Sequence, residues 1–155
     1  MAPSFDTPAT IREAGPSDVE AVIALDAAAT GLRKKDYWID IFQRYVETPR
    51  GNRHFLVAEA GGEIIGFIAG ETRIWEFGSP PSGWVFAVNV QAGRREHGIG
   101  SRLMQAICER FEAANVATVR TMISRDDTLN LSFFRSLGMT AGPYIELEMH
   151  LGKGE

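Results

Sequence analysis

Cysteine is almost missing from this chain: Cys108 is the only one in 155 residues. No internal disulfide can form, which excludes a disulfide-stapled scaffold and agrees with a reducing compartment. Long apolar runs are missing as well. No segment approaches the roughly 18 residues that a membrane helix needs, and no charged-then-apolar leader is visible, so no membrane association and a cytoplasmic location are expected. There is no sustained basic run, and the net charge is -4, which argues against nucleic acid as a partner. His54, His97 and His150 lack metal-site spacing with one another or with Cys108, so no metal is expected.

What is present suffices for one core. Apolar residues make up 45% of the chain, enough for a single domain over residues 10–155 behind a loose tail at 1–9. Thr10 to Arg12 reads as a short strand. Ser17-Asp18-Val19-Glu20 has the form of a capping box that opens a helix to about Ala28. Lys35 to Glu47 sets Tyr37, Trp38, Ile41, Phe42, Tyr45 and Val46 on one stripe of a second helix, ended by Thr48-Pro49. Asn52 to Ala60 and Glu63 to Ile74, joined by Gly61-Gly62, read as a β-hairpin. Thr118 to Ile123 reads as a strand, Asp127 or Thr128 as the cap of a helix running to Leu137, and Tyr144 to Leu151 as a closing strand by strict alternation.

The chain is organised around residues 83–111. Gly83 to Val90 is aromatic and β-branched, a buried strand by composition. Leu103, Met104, Ile107, Cys108 and Phe111 line one face of a helix, which places Cys108 in the core rather than in chemistry. Between the two lies Gln91-Ala92-Gly93-Arg94-Arg95-Glu96-His97-Gly98-Ile99-Gly100-Ser101. A loop at that point presents unbonded amides and the positive end of the helix dipole, so an anion belongs there, and the glycines allow a phosphate to approach the backbone. Ile99 and Gly100 stand where a Walker A loop needs Lys and Ser/Thr, and Leu103 holds the third glycine position of a dinucleotide fingerprint, so both of those readings fail.

Arg95-x-x-Gly98-x-Gly100, between strand and amphipathic helix, resembles the acetyl-CoA motif of the GNAT (Gcn5-related) N-acetyltransferase family. A second stretch, Asn130-Leu131-Ser132-Phe133-Phe134-Arg135-Ser136-Leu137-Gly138, resembles that family's downstream signature. The resemblance implies an α/β fold with three α/β/α layers, a mixed, mostly antiparallel sheet of about seven strands, and four helices. It implies acetyl-CoA as cosubstrate and direct attack on the thioester by a primary amine of a small molecule or peptide, and a homodimer is a common arrangement among similar proteins.

The same resemblance suggests roles for individual residues. Arg95, Glu96, His97, Gly98, Ile99, Gly100 and Ser101 would hold the diphosphate. The backbones of Val88 and Val90 would align the pantetheine arm, with Asn130, Phe133 and Phe134 also on the cofactor side. An ammonium acceptor must lose a proton, and Glu71 and Glu76 are the candidate bases, with Glu146 behind them. Asn89 points to the opposite strand face from Val88 and Val90 and is placed to orient a water. Tyr37 and Trp38 read first as core packing, with contact to the acceptor as the alternative. Phe134 stands where the family often has a tyrosine that protonates the leaving thiolate. That departure motivates the rival reading, a non-catalytic acyl-CoA-binding regulatory module; a plain interaction domain is the third.

Overall fold

A computed structural model describes residues 8–48, 50–94 and 98–152. The chain divides into two compact units, Met1–Met122 and Ile123–Glu155.

The first unit is built on a five-stranded sheet in the order β1-β2-β3-β4-β5: β1 (Thr10–Glu13), β2 (Arg53–Ala60), β3 (Glu63–Arg73), β4 (Ser82–Val90) and β5 (Val119–Arg120). All neighbours are antiparallel except β4 and β5, which run parallel. The hairpin turn at Gly61-Gly62 has positive φ at both residues (58° and 80°), as a tight connection between twisted strands requires. One face of the sheet is covered by α1 (Val19–Thr30) and α2 (Lys35–Phe42). There Val22, Ile23, Trp38, Ile41, Phe42 and Tyr45 pack on Phe55, Val57, Phe67 and Ala69. The opposite face takes α3 (Ile99–Ala113), whose Leu103, Ile107 and Phe111 lie against the glycines of β3 and β4. The layers are therefore α/β/α, as expected.

Several details depart from the sequence reading. Ser17 caps nothing: Pro16–Asp18 forms a 3-10 turn, and it is the Asp18 carboxylate that accepts the Gly15 N–H at 2.8 Å. Proline at the first position of that turn moves the helix start to Val19. The second helix stops at Phe42 and continues as one π-helical turn, Gln43–Glu47, which brings Tyr45 into the core.

Asp18 is itself a buried anchor, held by Arg12 through two bonds of 2.8 and 3.1 Å. Burial alone would raise its pKa; the Arg12 and Gly15 bonds outweigh that and hold it below the ordinary value. A lowered carboxylate pKa stabilises the fold at pH values above about 3.9 and ceases to do so as pH falls through the folded value. Asp18→Asn should therefore cost about 1 to 3 kcal/mol near pH 7, by the usual range for bonds to charged groups. The gap to wild type should close as pH drops below about 4, read by denaturant unfolding across pH.

The second unit contains α4 (Thr128–Ser136), capped by Asp127, whose side chain accepts the Asn130 amide. Gly138 ends it with φ 90°, and the Met139 amide returns to the Phe134 carbonyl. The expected strand from Tyr144 to Leu151 has no ladder among the described residues, so the sheet has five strands rather than seven. Ile145, Leu147, Met149 and Leu151 are 80 to 84% exposed. Alternation fixes which side chains share a face, but a strand also needs a neighbour to bond with.

Candidate active site

The site is set by a break in the alternation of β4. Before the break, the Gly83 amide donates to the Thr118 carbonyl, and the Val85 carbonyl accepts from the Thr121 hydroxyl, so odd-numbered backbone groups face β5. Ala87 pairs with Ala69 and Val85 with Gly70, which leaves Phe86 as the extra residue of a β-bulge. After it, the Gln91 amide donates to the Ile65 carbonyl. Odd-numbered groups now face β3, and the backbones of Val88 and Val90 turn toward the other edge. β5 pairs with β4 only at Gly83 and Trp84, so no strand lies along Phe86 to Asn89 on that side among the described residues. The bulge also sends the side chains of Phe86 and Ala87 to the α1/α2 face together.

At the end of β4 the chain turns at Gln91, whose carbonyl accepts the Arg94 amide at 3.0 Å. Arg94 is buried, with its Nε on the Gln91 side chain at 3.2 Å, so it is a structural part of the turn and not a solvated cation. Arg95, Glu96 and His97 lie outside the described residues. Gly98 (φ 74°) is the cap residue of α3, and a Cβ built there would meet nothing within 4 Å. Its carbonyl accepts the Arg102 amide, the first helical bond, and the amides of Ile99, Gly100 and Ser101 therefore have no acceptor within the helix. Three such amides at the dipole end of a fifteen-residue helix, next to the open space at Gly98, form the kind of helix start that suits an anion.

These features coincide with a family. The profile of the Acetyltransferase (GNAT) family matches residues 19–139. The chain belongs to the GNAT acetyltransferase family. This GNAT chain is 30% identical over 87 residues to the L-2,4-diaminobutyric acid acetyltransferase of Nocardia farcinica, a match that covers 56% of this chain and 44% of that one. The chain thus spans under half the length of that relative. It is 26% identical over 144 residues to the L-methionine sulfoximine/L-methionine sulfone acetyltransferase of Pseudomonas aeruginosa, covering 84% of this chain and 79% of that one. Among solved structures, the aminoglycoside N-acetyltransferase AAC(6')-Iy in complex with CoA superposes with a TM-score of 0.79 at 16% identity, covering 97% of this chain and 99% of that one, a likeness of fold.

The remaining candidates of this GNAT domain are distributed unevenly. Glu71 sits on the α2 face of β3, 3.4 Å from the Nε of Arg73 and 4.0 Å from that of Arg53. Tyr45 lies beside it, and its pKa is pushed up to about 12 by burial first and the Glu71 charge second, so the phenol stays protonated near pH 7. Nothing local in the sequence joins Tyr45, Arg53 and Arg73 to Glu71; Tyr45 reads only as part of a core stripe. Glu76 lies on an exposed 3-10 turn, 4.0 Å from Arg73. Asn89 is on the α1 face as expected, where its amide donates to the Leu25 carbonyl at 3.3 Å.

Trp38 is a core residue. Its ring packs edge-on to Phe55 and Phe67, and its indole N–H is satisfied by Asp26 at 3.0 Å, which leaves no polar atom for a ligand. Tyr37 is half exposed and meets Trp38 edge-on. Burial raises the Cys108 thiol, with Glu112 adding to the effect, so it is no ready nucleophile.

Within the second unit, the Asn130 side chain donates to its capping partner Asp127 at 2.8 Å, and Phe134 is buried beside Phe133. Glu146 is exposed, and its pKa is raised by the hydrogen bond that its protonated form donates to neighbouring Glu148. Among the described residues no helix is long and apolar enough to cross a membrane, and no group of three or more His, Cys, Asp or Glu could hold a metal.

Proposed function

We propose that this chain is an acetyl-CoA-dependent N-acetyltransferase that acts on the primary amine of a small, amino-acid-like molecule. The observation that carries the reading is the edge of β4 turned by the bulge, followed by the helix-start amides of Ile99, Gly100 and Ser101. The curated relatives' named substrates are amino acids with a free amine, which supports that acceptor class over a protein.

When bound, acetyl-CoA supplies an acetyl group activated as a thioester. The helix-start amides, with Gly98, hold its diphosphate, and Arg95 and His97 add charge. The Val88 and Val90 backbones fix the pantetheine arm as a neighbouring strand would, and the Val88 N–H serves the developing oxyanion. Glu71 accepts the proton that the acceptor ammonium must lose. Arg73 keeps that carboxylate in one orientation, with the protonated Tyr45 phenol beside it.

Release of free thiol from acetyl-CoA, measured with L-2,4-diaminobutyrate and L-methionine sulfone against their N-acetylated forms, tests the proposal. Turnover only with the free amines supports it. Tight acetyl-CoA binding without turnover on any amine would favour the non-catalytic module that Phe134 suggests.

Glu71→Gln retains the size and much of the bonding of the side chain. It should lower kcat by about 10² to 10⁴, the usual worth of a positioned base, with acetyl-CoA affinity unchanged. Glu76→Gln is the comparison, expected to stay near wild type; the reverse pattern would move the base to the exposed turn.

A further inference from the structure

Arg73 leaves β3 two residues after Glu71, so the two side chains rise from the same sheet face. Its Nε is spent on Glu71 at 3.4 Å, with Glu76 farther off at 4.0 Å. The two terminal nitrogens of the guanidinium make no hydrogen bond to any described residue. The group is held in place all the same, because it lies over the indole of Trp84 at 5.2 Å, and Trp84 is the cross-strand partner of Glu71. An arginine fixed at its Nε edge and over an aromatic ring, with its terminal N–H groups unengaged, presents a fork to whatever enters beside Glu71.

The charges around it decide the kind of ligand it suits. Arg53 lies 4.0 Å from Glu71, and its Nη1 donates to the Arg44 carbonyl at 3.3 Å. Arg44 is itself paired with Asp40 at 2.9 Å. Glu71 and Glu76 therefore answer Arg53 and Arg73 one for one, and the cluster has no net charge to offer a bare cation or a bare anion. A zwitterion fits it, with the ammonium end on Glu71 and the carboxylate end on the Arg73 fork. A polyamine would set a second positive charge against Arg73 instead. Charged groups 3.4 Å apart suit an amine and a carboxylate carried on one carbon, where nitrogen and carboxylate carbon are about 2.5 Å apart by ordinary bond lengths. Each methylene placed between them adds about 1.2 Å.

Given Glu71 as the base proposed above, we propose that Arg73 reads the carboxylate of the acceptor, and that the amine acetylated is the α-amine of an amino acid.

Initial rates of the full chain with acetyl-CoA, for L-methionine sulfone and its decarboxylated counterpart 3-(methylsulfonyl)propan-1-amine, test this. Wild type should favour the amino acid in kcat/KM by between about tenfold and 100-fold, the usual worth of a bond to a charged group. Arg73→Gln should remove most of that preference through a higher KM for the amino acid; any disturbance of Glu71 lowers kcat on both amines alike and leaves the ratio untouched. Arg73→Lys, which keeps the charge but not the fork, should fall between the two. A wild type without preference, a preference that survives in Arg73→Gln, or acetylation of L-2,4-diaminobutyrate at N4 alone overturns the proposal. Calorimetry of L-methionine sulfone with the protein's CoA complex separates this from a failure of catalysis. Binding that Arg73→Gln abolishes, without turnover, would contradict the acetyltransferase and retain the carboxylate contact, whereas no binding to wild type, or equal binding by both, overturns the contact itself.

Discussion

Gly98→Asp is expected to weaken acetyl-CoA binding by at least about 100-fold while leaving the fold almost as stable as before. The position has φ 74° and open space where a side chain would begin, so Asp, which tolerates the left-handed region, can be built there. Its carboxylate then occupies the end of the helix dipole in place of the diphosphate. Two like charges about 4 Å apart repel by on the order of 4 kcal/mol at an effective dielectric near 20, and about 2.8 kcal/mol of that gives the predicted loss. The same carboxylate interacts favourably with the helix start by about 0.3 to 1 kcal/mol, which offsets most of the backbone strain. Affinity and melting temperature should therefore separate: calorimetry with acetyl-CoA falls sharply and thermal unfolding barely moves. A joint fall in both would mean that the variant had only damaged the turn.

The second large effect falls on stability. A Cβ at Gly70 would sit 2.6 Å from the Trp84 main-chain carbonyl and 3.1 Å from Ile107. The carbonyl belongs to the strand that carries the bulge, so relief requires β4 to shift along α3. Gly70→Ala should cost about 3 kcal/mol, the upper part of the range for overpacking. For a chain of this size that is a fall of about 6 to 12 °C in Tm. Gly51→Ala, where a Cβ meets nothing within 4 Å, should change stability by less than about 0.5 kcal/mol. Scanning calorimetry of the two variants separates a specific clash from the general effect of adding a methyl group.

The contrast between these two glycines also marks what the sequence made legible. Gly98 stood out because strand composition, a basic glycine loop and an amphipathic helix occur in succession, and each is a local signal. Gly70 did not, because its close approach to Trp84 depends on pairing between strands. The same holds for the bulge at Phe86. Val85-Phe86-Ala87-Val88 is apolar throughout, so period-two alternation gives no sign of a residue inserted into it. The reading that Val88 and Val90 share one direction and Asn89 the other survives, since it concerns only residues after the bulge.

Partnerships across sequence were the other gap. Trp38 reads as core from its stripe, but its partner Asp26, twelve residues earlier, which takes the indole N–H, is not visible in that pattern. Glu71 could be named from its place on a strand, whereas Tyr45 and Arg73 around it follow from how α2 and β3 pack. Ser17 fitted a capping pattern that Pro16 overrode by starting a tighter turn. From Tyr144 to Leu151 the alternation was real, but alternation does not supply a neighbouring strand.

The central claim is that main-chain amides at the start of α3 grip the diphosphate while the β4 edge holds the rest of the cofactor. Backbone ¹H–¹⁵N spectra recorded during titration with CoA, and separately with pantetheine, which lacks the diphosphate, test it most directly. The account predicts that the amides of Ile99, Gly100 and Ser101 move with CoA and not with pantetheine, whereas Val88 responds to both. Saturating CoA binding that leaves those three helix-start amides unmoved would contradict it.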